Sequence, residues 1–272
     1  MMSTERRLAL DVAGLTFQVN LPDSAWRPAL VERYQAFLTD REPAWQVDLH
    51  EDAALSDPED PWIEHRGDRS QFHVPGCAGW LDLASRQAEV RTQAAARAGS
   101  ALDRVLVTIG VLALPRSYDG LLLHAVGIEW RGAGYVFCGP SGAGKTTVAR
   151  LAQGVAQVLC DENVVVRLED DRPWLHSTPF WGHSTPPALI ARKQRRLPLQ
   201  AIYFLRHAPD FAVTRLLAGQ AITALLLTEK VATERVASAE AWLAAAQRLI
   251  DQVPVYQLDF RPQPELWQFL QL

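Results

Sequence analysis

The sequence predicts an α/β chain in two parts: a small α+β domain over residues 1–95, then an α/β phosphate-loop domain over residues 96–272. Three observations predict it. Short alternating strand patterns crowd the first third of the chain. A glycine-rich segment ending in Lys145-Thr146 sits between a strand pattern and a helix pattern. An apolar strand then ends in Asp161-Glu162, with Asp161 only 16 residues after Lys145. At 272 residues, 48% hydrophobic and 21% charged, the chain has room for one large domain or two modest ones and an ordinary globular composition.

Residues 8–12 and 15–19 are strand-like and flank Ala13-Gly14, the pattern of a hairpin. Asp23-Ser24 supplies an N-cap for a helix to about residue 38, with Trp26, Leu30, Val31, Tyr34 and Leu38 on one face. Residues 45–49 alternate as a strand. Residues 51–68 are acidic, carry Pro58 and Pro61, and read as a loop. Residues 71–74, 79–83 and 87–91 read as further short strands. Residues 100–114 form an apolar helix that Pro115 helps to end.

The character then changes. Residues 121–129 are an apolar strand, 131–134 a turn, and 135–138 a short strand entering the glycine-rich loop. Residues 146–152 continue as helix, 156–160 and 164–168 as strands, and 169–173 turn the chain before Trp174-Leu175-His176. The stretch 179–198 is rich in proline, glycine and basic residues and reads as a long loop. A buried strand over 201–205, helices near 221–227 and 239–250, and a strand near 255–258 complete the chain, with no internal repeat.

Composition excludes several classes. The formal net charge of −4 gives no global field toward nucleic acid or anionic membrane. The nine tryptophans are scattered rather than interleaved with basic residues, so base stacking is unsupported. No unbroken apolar run approaches the roughly 20 residues of a membrane span. Met1 to Arg7 lead straight into a strand pattern without a signal-peptide region. Cys77, Cys138 and Cys160 are widely spaced with no CxxC pair, which points to reduced thiols in a cytoplasmic protein. Neither a nucleic-acid nor a membrane partner is expected.

The chemistry concentrates in Gly139-Pro140-Ser141-Gly142-Ala143-Gly144-Lys145-Thr146, which fits GxxxxGK[ST]. Glycines 139, 142 and 144 let the backbone turn tightly and aim N–H groups inward, and the following helix presents its positive end. Lys145 reaches β- and γ-phosphate oxygens, the Thr146 hydroxyl ligates magnesium, and Ser141, Ala143 and Thr147 complete the nucleotide-binding set for ATP with Mg2+. Asp161 can hold magnesium or take a proton from an attacking hydroxyl. Its early position differs from motor-type and switch-type ATPases, whose carboxylate lies on a later strand. Glu162 beside it still resembles a water-activating Asp-Glu pair, which keeps hydrolysis open.

Three blocks resemble the catalytic domain of the HPr kinase/phosphorylase family, whose fold is shared with phosphoenolpyruvate carboxykinase. Leu122-Leu123-His124-Ala125-Val126-Gly127 is similar to its strand with a His-Gly-Val element, residues 138–146 to its P-loop, and Leu159-Cys160-Asp161-Glu162-Asn163-Val164 to its Ala-Asp-Asp-Arg-Val block. The resemblance implies a mixed sheet and a kinase in which Asp161 is the general base, His124 tunes that carboxylate, and Thr146, Asp161 and Glu162 serve the metal. Ala125 and Glu162 depart from the family's Gly and Asp. Residues 177–182 hold no carboxylate where the bifunctional enzymes carry a magnesium-linked Glu-Val/Ile-Arg-Gly signature, so no second metal ligand is carried over.

Thr178-Pro179-Phe180-Trp181-Gly182 and the strand 198–205 bring the chain closer to the small HPr-kinase-related proteins of biosynthetic clusters. Some of those phosphorylate a serine of a ribosomally made peptide. The acceptor implied is therefore a peptide, protein or small-molecule hydroxyl. The bifunctional relatives assemble, which adds homo-oligomerisation to the expectations. A hydrolase and a non-catalytic nucleotide sensor remain alternatives.

Two weaker signals remain. Arg192-Lys193-Gln194-Arg195-Arg196 reads either as a lid that brings an arginine to the phosphates or as a solvated basic loop. His176 and His183, with no third ligand, are a weak metal pattern.

Overall fold

The structure, a computed structural model, describes residues 4–182, 190–228 and 239–270. The chain is mixed α/β with two mixed sheets. It divides into a unit built on Met1–Ala113 and a second built on Leu114–Ala232 with Ala239–Leu272.

In the first unit, β1 (Arg7–Val12) and β2 (Leu15–Asn20) form the expected hairpin. Its turn needs two left-handed residues, and Ala13 (φ 55) and Gly14 (φ 85) supply them. The Gly14 N–H donates to Asp11 Oδ1 at 2.8 Å. The helix expected to residue 38 is shorter: α1 spans Arg27–Tyr34, with 3-10 turns Ser24–Trp26 before it and Gln35–Phe37 after it. Asp23 caps the start, accepting from the Ala25 N–H at 2.7 Å. The tighter last turn changes the phase of the inward face, so Phe37 joins Trp26, Leu30 and Tyr34 in the core while Leu38 stays 40% exposed.

The sheet continues with β3 (Trp45–Glu51), β4 (Trp62–Arg66), β5 (Arg69–Val74), β6 (Cys77–Asp82) and β7 (Gln87–Thr92), in the order β1-β2-β3-β7-β6-β5-β4. β3 is parallel to β2 and β7, and the other pairs are antiparallel. β4 corrects the loop reading of 51–68. As an edge strand whose residues are exposed or half-buried, it lacks the apolar alternation that marks its neighbours.

The helix α2 (Ala98–Ser117) runs past Pro115 instead of ending there, because a proline in the last turn removes only one hydrogen bond. Counted through Asp103-Arg104, the stretch Ala95–Ser117 is long and apolar enough to cross a membrane, which corrects the reading based on unbroken runs. Most of it is buried inside the protein, in the manner of a core helix.

The second unit carries β8 (Gly120–Leu123), β9 (Ala125–Trp130), β10 (Ala133–Cys138), α3 (Lys145–Leu151), β11 (Gln157–Cys160), β12 (Val164–Glu169) and β13 (Arg172–His176). It continues with β14 (Arg196–His207), β15 (Ala212–Arg215), α4 (Ala218–Thr228), α5 (Ala239–Gln252), β16 (Val255–Phe260) and α6 (Leu266–Leu270). The strand order is β11-β9-β10-β14-β13-β12-β8, with β16 beside β14 and β15 beside β16. β10, β14 and β16 are parallel to one another, and the remaining pairs are antiparallel.

Trp242, Ala245, Ala246 and Leu249 of α5 and Leu225 of α4 join one buried cluster with sheet residues such as Leu121, Val136 and Ile202. Val148 and Ala149 of α3 and Leu266, Trp267 and Leu270 of α6 join a second with Val126, Phe137 and Tyr203.

Three readings change here. The strand expected over 121–129 is two strands broken at His124, β8 pairing with β12 and β9 with β10 and β11. The strand expected over 201–205 begins at Arg196, inside the stretch read as loop, because its first residues pair with β13. β15 and α6 had no counterpart in the sequence reading. Residues 183–189 of that loop, His183 among them, lie outside the described residues.

Candidate functional site

Sheet topology gathers the site at one edge. Cys138, the last residue of β10, pairs with Ala125, the first of β9. Cys160, the last of β11, pairs with Gly127 of β9. The glycine-rich loop after Cys138, His124 before Ala125, and Asp161 after Cys160 therefore emerge side by side. A cavity of 310 Å3 opens there, lined by His124, Ser141, Gly142, Gly144, Lys145, Thr146, Thr147, Asp161 and Glu162. Of the candidates in the glycine-rich loop and the acidic block, only Gly139 and Ala143 are not in this lining. They pack together beneath it: a Cβ on Gly139 would lie 2.6 Å from the Ala143 Cβ, so only glycine fits.

The loop runs from strand to helix as its spacing demands. Gly142 (φ 82) and Gly144 (φ 103) take left-handed conformations that other residues adopt at a cost. The Ala143 N–H donates to Pro140 O at 3.1 Å and closes the turn. The Lys145 ammonium donates to Gly139 O at 2.6 Å and Pro140 O at 3.1 Å, so it lies over the loop it would share with phosphates.

Asp161 is 7% exposed and His124 5% exposed, which makes them buried polar groups that must be hydrogen-bonded. Asp161 Oδ1 accepts the Gly182 N–H at 2.9 Å. His124 Nδ1 lies 2.7 Å from Glu162 O and 3.6 Å from Glu162 Oε1. A carbonyl oxygen only accepts, so Nδ1 carries a proton in that contact. The Ala125 N–H donates to the same carbonyl at 3.2 Å. The strand break at His124 thus turns its ring and the next amide onto one carbonyl in the acidic block. His124 contacts both the main-chain carbonyl and the side chain of Glu162.

Gly182 was quoted from the sequence without a role, and the structure gives it one. A Cβ there would stand 2.9 Å from Glu162 Oε2 and 3.5 Å from Asp161 Oδ2, so the glycine lets the backbone come close to both carboxylates without displacing the Glu162 side chain. Thr178 anchors the segment by donating to Asn163 O. No side-chain signature marks a main-chain donor, and the element's proline and glycine were the available hint.

The arginines of the basic segment have partners within the protein. Arg192 lies over the Trp181 ring at 4.9 Å, the Arg195 Nε donates to Glu129 Oε2 at 3.0 Å, and Arg196 pairs with Glu169 and covers Trp174 at 3.6 Å. His176 Nε2 is 2.9 Å from Glu169 Oε1. Among the described residues no group of three or more His, Cys, Asp and Glu side chains is arranged to hold a metal ion. All three cysteines are buried thiols outside any disulfide, and burial pushes the Cys160 thiol up to about 12 and Cys77 to about 11.

Residues 99–271 match the family described as SynChlorMet cassette protein ScmC. That is more than half of the chain, which therefore belongs to the ScmC family. No curated protein matches it. Among solved structures, the Hpr(Ser) kinase/phosphatase from Coxiella burnetii is similar over 55% of this chain and 92% of that one, at 12% identity and a TM-score of 0.32. A likeness that slight decides neither fold nor activity.

Proposed function

We propose that this member of the ScmC family is a kinase that moves the γ-phosphoryl group of ATP to a hydroxyl. The observation that carries the reading is the shared lining of one cavity: the glycine-rich loop with Lys145 and Thr146 on one side, Asp161 and Glu162 on the other. Phosphoryl transfer needs little covalent chemistry from a protein. It needs phosphates held by backbone amides and a cation, and a carboxylate within reach of the attacking oxygen.

The residues divide those tasks. The loop from Ser141 to Thr147 holds the phosphates, and Lys145 exchanges its two loop carbonyls for phosphate oxygens. Asp161 takes the proton of the acceptor hydroxyl as that oxygen bonds to the γ-phosphorus and the bond to the bridging oxygen of ADP breaks. The Gly182 N–H keeps one carboxylate oxygen occupied and so orients the other. Thr146, Asp161 and Glu162 would offer oxygen donors of the kind magnesium takes, and the ion would neutralise phosphate charge there. The acceptor is a peptide, protein or small-molecule alcohol.

A hydrolase is the second reading, favoured by Glu162 lining the same cavity next to Asp161. One experiment separates them. Purified protein is incubated with magnesium and γ-labelled ATP, with and without a source extract and peptides from its gene neighbourhood, beside Lys145→Ala and Asp161→Asn variants. Label in an alcohol or peptide, lost in both variants, supports the kinase. Label released only as inorganic phosphate, unchanged by the extract, sinks it and leaves the hydrolase. Tight ATP binding with no transfer and no release points to a nucleotide sensor.

A further inference from the structure

We propose that His207 is a positioning residue that clamps the phosphate loop through the Gly142 carbonyl. The inference rests on the phosphate-loop reading above and adds a residue that neither motif nor resemblance pointed to. Its basis is the parallel run of β10, β14 and β16. Cys138 ends β10 opposite Phe204 of β14, so β14 continues through Leu205, Arg206 and His207 alongside the loop that leaves β10. His207 in turn pairs with Phe260, the last residue of β16. Both rings therefore stand at the carboxyl edge of the parallel strands, where ligands of such sheets bind.

The two rings stack with centroids 5.3 Å apart and planes 26° from parallel. Phe260 is fully buried, so the imidazole leans on a fixed surface. From there His207 Nε2 reaches the Gly142 oxygen at 3.0 Å. The carbonyl accepts, so Nε2 is the protonated nitrogen. Across the same peptide the Ala143 N–H donates to Pro140 O at 3.1 Å. The peptide between Gly142 and Ala143 is thus held at both of its polar atoms.

The loop also rests directly on the ring pair. A Cβ on Gly144 would meet Phe260 Cζ at 2.5 Å and His207 Cε1 at 3.2 Å. A loop with glycines at 139, 142 and 144 has much conformational freedom to lose when it closes around phosphates. A contact that already holds its central peptide removes part of that loss before the ligand arrives, which raises affinity without touching the ligand.

Two variants separate the hydrogen bond from the stack. His207→Phe keeps a ring on Phe260 and loses the donor; His207→Gln keeps a donor and loses the ring. Hydrogen exchange of residues 139–146 is followed in the nucleotide-free full chain, and binding of ATP and of tripolyphosphate is titrated. His207→Phe is expected to speed exchange of the loop and weaken both ligands by similar factors, roughly 3- to 10-fold, the equivalent of one hydrogen bond. His207→Gln is expected to recover most of both.

Unchanged loop exchange in His207→Phe overturns the clamp. So does a glutamine variant as impaired as the phenylalanine one, which would make the role one of packing. A loss confined to ATP, with tripolyphosphate binding intact, also overturns it and makes His207 a contact to the base. If the unaltered protein binds neither ligand, the phosphate-loop reading fails, and the exchange comparison still decides for or against the clamp.

Discussion

His124, at the break between β8 and β9, and His176, at the end of β13, flank strands of one nine-stranded sheet, both less than a tenth exposed and each beside a glutamate, yet their surroundings differ. Around His176 the Glu169 carboxylate is met by the imidazole at 2.9 Å, by Arg196 at 2.5 Å and by Arg167 at 3.5 Å, while Arg196 covers Trp174. Around His124 one partner is a main-chain carbonyl at 2.7 Å, and Asp161 and Glu162 line a cavity shared with the glycine-rich loop. A carboxylate surrounded by the protein's own donors holds the fold. In the proposed function the pair that lines the cavity, Asp161 and Glu162, serves a ligand instead. The residue types are nearly the same, and the sheet edge on which they fall makes the difference.

The sharpest way to break this comparison is a pair of substitutions that keep shape and remove charge. Asp161→Asn is expected to lower kcat for phosphoryl transfer by about 1,000-fold or more, at the upper end of what general base catalysis supplies, with the urea midpoint little changed. Glu169→Gln is expected to do the reverse: transfer within about twofold of the unaltered protein, and stability lower by roughly 1–3 kcal/mol, because two arginines lose a partly buried partner. Kinetics and urea unfolding of both variants check it. A Glu169→Gln variant as inactive as Asp161→Asn would erase the distinction between the clusters.

Gly182→Ala should sharpen the comparison with a smaller effect. The main-chain donor to Asp161 remains, but the new methyl would stand 2.9 Å from Glu162 Oε2 and must displace that side chain. Glu162 is 34% exposed on its side chain and can move away cheaply, so the unfolding free energy should hardly change. The carboxylate geometry should not survive, and kcat is expected to fall roughly 10- to 30-fold, on the scale of a modest misplacement of catalytic groups. Equal losses in kcat and stability would show that residues 178–182 brace the fold rather than orient the base.

What the sequence made legible follows from how local each feature is. That the glycine-rich loop and Asp161 fall side by side could be read because strand, turn, helix and strand follow one another within a short stretch, and the spacing carries the geometry. The break at His124 could not. An unbroken apolar run suits one buried strand or two equally well, and only pairing of β8 with β12 and β9 with β10 tells them apart. The edge strands β4 and β15 were missed because residues exposed to solvent need no alternation. His207 lies 65 positions from the Gly142 it touches, and Gly182 acts through a backbone N–H, so neither leaves a pattern in the chain.

The smallest expected effect concerns pH and the closed cluster alone. His176 is held down at about 4, first by burial, which strips water from the imidazolium. Arg167 and Arg196 repel the same charge, while Glu169 pulls the other way. In the unfolded chain a histidine titrates near 6.5. Between those values the unfolded state binds the extra proton and the folded state does not. Folding stability from this group is therefore fully present above about pH 6.5 and is lost as pH falls toward about 4. The loss across that window should be on the order of 2–3 kcal/mol. Urea unfolding at intervals from pH 7.5 to 4.5 should show a slope that His176→Gln flattens, because glutamine keeps a donor toward Glu169 and has no proton to gain. Parallel curves for the two proteins would mean that His176 is not the titrating group. The ring would then be readily protonated within its shell of arginines, and the self-contained character assigned to this cluster would fail.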